Sequence, residues 1–101
     1  MYAVIRLNSL DPRQVLEAAD DLRWLDELHT QQPGFLGSVV VDLADGRQAV
    51  VHLWESAQHC RVAGSAIGPW VSCLLTPLST APSQLVGAGA ARISGLRVSA
   101  R

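Results

Sequence analysis

The sequence predicts an α+β domain whose elements follow the order β-α-β-β-α-β. Three features carry that expectation: the alternating opening "MYAVIRLN", helix-start signals at Asp11-Pro12 and Ser56, and an Asp-Gly turn between two strand-like runs in "FLGSVVVDLADGRQAVVHLW".

Residues 2–8 read as the first strand, with Tyr2, Val4, Arg6 and Asn8 on one side and Ala3, Ile5 and Leu7 on the other. Asp11 can cap free amides, Pro12 suits the first helical position, and Gln14 stands at capping-box spacing. Val15, Ala18, Ala19, Leu22, Leu25 and Leu28 recur at helical spacing, Glu17, Asp20, Asp21 and Glu27 mark the wet side, and Pro33-Gly34 ends the helix.

A hairpin follows around Ala44-Asp45-Gly46. A two-residue turn would set Val39 opposite His52, whereas a three-residue loop with Gly46 left-handed sets Ser38 there. The second register collects Phe35, Val39, Val41, Leu43, Ala49, Val51 and Leu53 on one apolar face. Leu36, Ser38, Val40, Asp42, Val50, His52 and Trp54 then share the other. Ser56 caps a second helix over residues 57–67, Gly68-Pro69 interrupts it, and a short apolar helix resumes from Trp70 to about Leu78. The last strand is expected from Gln84 to Ile93, which closes a domain of residues 1–94 and leaves a tail of 95–101.

This order is the ferredoxin-like plan of one antiparallel sheet with two helices. Two helices cover only one sheet face, yet both faces here are apolar, and the chain is 49% hydrophobic against 17% charged. Packing a second sheet on the uncovered face would form a dimeric α+β barrel. A homodimer is therefore expected, with Phe35, Val39, Val41, Val51 and Leu53 at the packing surface.

Eight Lys+Arg against nine Asp+Glu leave a formal charge of −1 and no basic stripe, which argues against nucleic acid. No apolar run approaches the roughly 18 residues of a membrane helix, and the opening lacks a signal-peptide layout, so a cytoplasmic protein is expected. Cys60 and Cys73 match no metal or redox spacing and read as small buried hydrophobes. No metal site and no phosphate-cradling glycine loop are predicted.

His52 and Trp54 sit two apart on one strand and so face the same way. An imidazole titrates near physiological pH and can take a proton from a phenol, and an indole suits the wall of an apolar cleft. The competing reading has His52 bonded to Ser38 or a carbonyl and merely filling core. Asn8 and Arg6 share a strand face and are candidate substrate-binding groups with Ser38 and with Trp70, which follows the Gly68-Pro69 break. Trp24 is read as either pocket wall or surface, while His29 and His59 are read as solvated helix residues.

With these elements in place, "QQPGFLGSVVVDLADGRQAVVHLWES" resembles the antibiotic biosynthesis monooxygenase family of dimeric α+β barrels, over residues 1 to about 93. The resemblance rests on the Pro-Gly-Phe turn into strand two, the Gly turn, and a third strand ending Trp-Glu-Ser. It implies a pocket between sheet and helices. Some members oxygenate polycyclic phenols with molecular oxygen and no metal or flavin, and their pocket-lining Trp matches Trp54. Val50 stands where polyketide-tailoring members carry an Asn, and Cys60 about where they carry a Tyr. Haem-degrading relatives use an Asn near the end of strand one, which Asn8 matches, and a haem-ligating His in the second helix. No His follows residue 59, so haem degradation is not expected. The expectation is a cofactor-independent monooxygenase for a small aromatic, with His52 and Trp54 as catalytic residues. The alternative is a non-catalytic binding domain of the same fold.

Overall fold

Antiparallel pairing around one central strand organises the chain. In the computed structural model, which describes residues 1–97, β1 (Tyr2–Leu10) lies between β3 (Gln48–Trp54) and β4 (Ser79–Ala90). The strand β2 (Phe35–Asp42) completes the sheet beyond β3, in the order β2-β3-β1-β4. With its helices this is the ferredoxin-like α+β arrangement read from the sequence. The sheet of the single chain is open, not closed into a barrel.

Asp11 caps the first helix by accepting the Arg13 N–H on Oδ1 at 2.9 Å, with Pro12 at the first helical position. The helix is not continuous as expected. Ala18 departs from helical dihedrals (φ −97°, ψ 17°) and divides α1 (Pro12–Glu17) from α2 (Ala19–Thr30). The segment α1 buries nothing, whereas α2 buries Leu25.

The hairpin takes the three-residue loop. Leu43 N–H donates to the Arg47 carbonyl at 2.8 Å and Gly46 N–H to the Leu43 carbonyl at 3.0 Å, while Gly46 sits at φ 86°, where a Cβ would be strained. Ser38 consequently pairs with His52, Val39 with Val51 and Val41 with Ala49. Phe35 departs from the expected pattern. A bulge between Phe35 and Gly37 sets Phe35 opposite Trp54 on the helix-covered side, away from the face assigned to dimer packing. The compensation is contact, since the Phe35 and Trp54 rings meet edge to face at 5.1 Å.

Ser56 starts α3, its Oγ accepting the His59 N–H at 3.2 Å. This helix runs unbroken over Ala57–Leu75, through the Gly68-Pro69 pair expected to interrupt it. Proline withholds one hydrogen bond, to the carbonyl of Ser65, and Ser65 is exposed where water can serve instead. A 3₁₀ turn at Thr76–Leu78 then delivers the chain into β4 at Ser79, earlier than the expected Gln84, and the strand ends at Ala90 before Ile93. Pro82 is tolerated because β4 is an edge strand. The expected tail lacks helix or strand through Arg97, and its positions 98–101 lie outside the described residues.

The buried apolar residues are Leu25, Trp54, Ala63, Ile67 and Leu78, gathered between α2, α3 and the sheet. Cys60 is half-buried and Cys73 exposed, so only the first approaches the buried role expected of both. On the opposite sheet face Val39 is 52% and Val41 45% exposed, with Ile5 close behind at 37%.

Gly34 joins the two layers. It holds φ 79°, its carbonyl accepts the Glu55 N–H at 2.8 Å, and a Cβ there would overlap the His59 imidazole. Gly34→Ala is therefore expected to cost about 2 kcal/mol or more in urea unfolding. Gly46→Ala, strained but facing open space, should cost about 1 kcal/mol. Equal losses would show that the His59 ring does not close over Gly34.

Candidate functional site

A cavity of about 780 Å³ opens between the helix layer and the sheet. Its floor follows from strand alternation: Val4, Arg6 and Asn8 of β1 and Val50, His52 and Trp54 of β3 all face it. The roof is α3, where Cys60, Gly64 and Gly68 recur every four residues and so present one lean helical stripe. Large side chains on that stripe would fill the space. Ser79, Thr80 and Ser83 at the start of β4 close one end.

Four rings cluster beside this cavity. His29 of α2 and His52 of β3 lie with centroids 4.7 Å apart, Phe35 touches both at 6.0 Å, and Trp54 packs on Phe35. His29 lines the cavity, contrary to its expected solvated place. Its Nδ1 lies 2.8 Å from the Leu25 carbonyl. A carbonyl only accepts, so Nδ1 carries the proton and the neutral ring keeps Nε2 free as an acceptor. The sequence did hold a signal for His29, which stands four residues after the buried Leu25 and so shares its helix face.

His52 makes no side-chain hydrogen bond among the described residues, so the expected bond to Ser38 is not formed. Burial, then the charges of His29 and Arg6, push its pKa from the ordinary 6.5 down to about 4. At neutral pH it is an uncharged imidazole. Cys60, partly buried, has its thiol pushed up by desolvation and is a poor nucleophile. Asn8 accepts the Ser83 hydroxyl on Oδ1 at 2.6 Å, which leaves its amide N–H groups for another partner.

The structure thus brings Arg6, Asn8, His52 and Trp54 together and leaves two other candidates aside. Ser38 is exposed and absent from the cavity wall. Trp70 is 56% exposed and meets Trp24 edge to face at 5.8 Å on the outer surface, because the unbroken α3 turns it away from the sheet. Trp54 is buried at 4% exposure and serves the core as much as the cavity. His59 has a partner after all, its Nδ1 lying 2.7 Å from Ser56 Oγ. Among the described residues no group of three His, Cys, Asp or Glu side chains could hold a metal ion, and no helix is long and apolar enough to cross a membrane.

Solved structures with this fold include oxygenases. A variant of SnoaB, a cofactor-independent oxygenase from Streptomyces nogalater, matches with a TM-score of 0.73 and 18% identity, over 95% of this chain and 97% of that one. The monooxygenase ActVA-Orf6 of Streptomyces coelicolor, solved with Nanaomycin D, matches with a TM-score of 0.72 and 21% identity, over 96% and 92%. An antibiotic biosynthesis monooxygenase matches with a TM-score of 0.66 and 15% identity, over 92% and 100%. At these identities the likeness shows the fold, and it is the fold implied by the resemblance to the antibiotic biosynthesis monooxygenases. No protein-family model matches the chain, and no curated protein does.

The state of His52 has a consequence for stability. Between pH 6.5 and about 4 the unfolded chain binds a proton at this residue that the folded chain refuses. Its contribution is therefore complete above pH 6.5 and lost as the pH falls to about 4, by an amount of up to about 3 kcal/mol. His52→Leu should lose less stability than the parent between pH 7.5 and 4.5, compared through urea midpoints. Equal losses would show that the ring is hydrated in the folded state.

Proposed function

We propose that the chain is a cofactor-independent monooxygenase acting on a small aromatic or polycyclic phenol in the cavity between sheet and helices, with molecular oxygen as co-substrate. The observation that carries this reading is the His29–His52 pair, 4.7 Å apart on the wall of an otherwise largely apolar cavity. An imidazole kept in such a place, as His52 is without a side-chain hydrogen-bond partner among the described residues, is desolvated at a cost that a Val or Leu would avoid, and a ligand or proton role would offset it. The oxygenase fold of SnoaB and ActVA-Orf6 supports the same class.

Charge near His29 and Arg6 adds to burial in disfavouring charge on His52, so His52 stays the neutral member of the pair. We assign proton acceptance to His29 Nε2, oriented by the Leu25 carbonyl, and hydrogen bonding of the substrate oxygen to neutral His52. Of the two roles expected for His52, base or hydrogen-bond partner, this assignment takes the second. The phenol O–H proton moves to His29, and the phenolate passes one electron to dioxygen. The resulting phenoxyl and superoxide radicals combine through a new C–O bond. His29 returns its proton to the peroxide. The oxygenated carbon then loses its C–H proton to the freed His29 Nε2 as the O–O bond breaks, and that proton joins the departing hydroxide as water, leaving the quinone carbonyl. Trp54 and Phe35 hold the rings of the site in place.

Oxygen consumption with anthrone as substrate tests this. One dioxygen should disappear per anthrone converted to anthraquinone, and His29→Ala should lower kcat by about 10²-fold or more. His52→Gln should lower it less. No uptake above buffer across anthrones and hydroquinones would leave a binding domain without catalysis. Trp54→Phe is the informative change at that position, since truncating so buried a Trp to Ala would cost about 3–5 kcal/mol and unfold a small domain.

We propose further that two copies pair through the uncovered sheet face and work in the cytoplasm, where the free thiols of Cys60 and Cys73 persist. A core of few buried residues, beside Val39 and Val41 about half exposed, supports the pairing. Val39→Asp is expected to give a folded monomer in sedimentation where the parent sediments as a dimer. A parent that is monomeric at micromolar concentration would remove the pairing.

A further inference from the structure

The cavity's charge is one-sided. The chain has nine acidic residues against eight Lys and Arg, yet among the described residues no Asp or Glu lines the cavity. Its ionisable wall groups are Arg6, His29, His52 and Cys60. Cys60 offers no anion, because burial keeps its thiol protonated. The guanidinium of Arg6 also has no acidic partner, since the ion pairs among the described residues are Arg23–Asp20, Arg47–Asp45 and His59–Glu55. Two residues along the same strand face, the Asn8 amide has spare N–H donors because its oxygen is taken by Ser83.

We propose that the ligand of this cavity is an aromatic carboxylate, its anionic group held by Arg6 and the Asn8 amide and its rings lying toward His52 and Trp54. The proposal rests on the aromatic-binding reading of the same cavity and adds the charge of the ligand. One planar guanidinium and one amide match the two oxygens of a carboxylate; a phosphate would call for a denser set of cations. The strand register supplies the spacing. Arg6 pairs with Val50, so it lies diagonal to His52 on the same face, roughly 7–8 Å away between backbones, about the span from an aromatic ring to its acid substituent. An unpaired cation beside apolar surface selects against a neutral ligand only weakly and against a cationic one strongly.

The test is calorimetric titration of the full chain at pH 7.5 with 2-naphthoate and with 2-naphthamide, which has the same shape and no charge. Because Arg6 is exposed, its pair with a carboxylate should be worth up to about five-fold in affinity. Naphthoate should bind about 3- to 5-fold tighter, with the advantage shrinking in high salt, and acetate should not compete. Arg6→Gln should abolish the difference, while Arg6→Lys should retain part of it. Equal affinities in the parent, a preference that survives Arg6→Gln, or no binding of either ligand below millimolar would each overturn the proposal. The parent comparison decides the point even if a variant fails to fold. The two readings fail separately: naphthoate preference without oxygen uptake on anthrone removes only the oxygenase, and uptake without the preference removes only the carboxylate.

Discussion

The ring cluster beside the cavity depends on the register between β2 and β3, which sets Ser38 opposite His52 and Phe35 opposite Trp54. Side chains alternate along a strand, so a shift of one residue in β2 would bring Val39 and Val41 under the helices and turn Ser38 and Val40 outward, while pairing with β1 holds His52 and Trp54 in place. The loop fixes the choice locally. Gly46 adopts the positive φ that a three-residue connection requires, and Asp45 accepts both the backbone N–H and the guanidinium of Arg47. Segregation of apolar residues fixes it globally, because Val39, Val41 and Val51 then share one face. Local turn chemistry and long-range burial agree, and such agreement lets a sequence specify one pairing.

The bulge at Phe35 shows what that register has to accommodate. Continuing the regular pairing would place Phe35 on the open side, yet its ring is needed against His29, His52 and Trp54. One extra residue in β2 turns the strand end over and completes the ring cluster. Gly34 sits just before the bulge and lets His59 of α3 close on the turn. The same short segment therefore fixes the helix layer and the wall of the site, and strain at Gly34 would be felt in both.

The sequence disclosed the strands and the register because alternation and Asp-Gly turns are local signals. It disclosed Arg6, Asn8, His52 and Trp54 as neighbours because strand alternation leaves no other outcome. What it hid depends on long-range geometry. Phe35 changes face through a bulge that no local pattern announces. Trp70 is expected at the cavity because Gly68-Pro69 reads as a break between two helices, whereas α3 tolerates the lost bond and carries Trp70 outward to Trp24. His29 was legible in part, since its spacing from Leu25 places it on the buried side of α2, but the approach of α2 to β3 decides that its ring meets His52. Ser38 illustrates the opposite error: it pairs with His52 as expected and still lies outside the cavity, since cross-strand pairing does not imply a shared pocket.

The two positions at which the chain departs from the polyketide-tailoring pattern, Val50 and Cys60, both line the cavity. An apolar side chain and a protonated thiol therefore occupy wall positions where the resemblance implies an amide and a phenol. Polar groups of this cavity stand elsewhere, among them His29 on α2, His52 on β3 and Arg6 with Asn8 on β1. The indole wall of Trp54 stays, while the hydrogen-bonding and charged groups stand at a different edge of the cavity. Discrimination between similar aromatic ligands comes mainly from buried polar groups left paired or unpaired, so relocating the polar set changes which ligand edges can be matched. Scaffold and polar lining thus come from separate parts of the sequence: alternation along β1 and β3 and the lean stripe of α3 make the cavity, and a few side chains from β1, β3 and α2 set its polar groups.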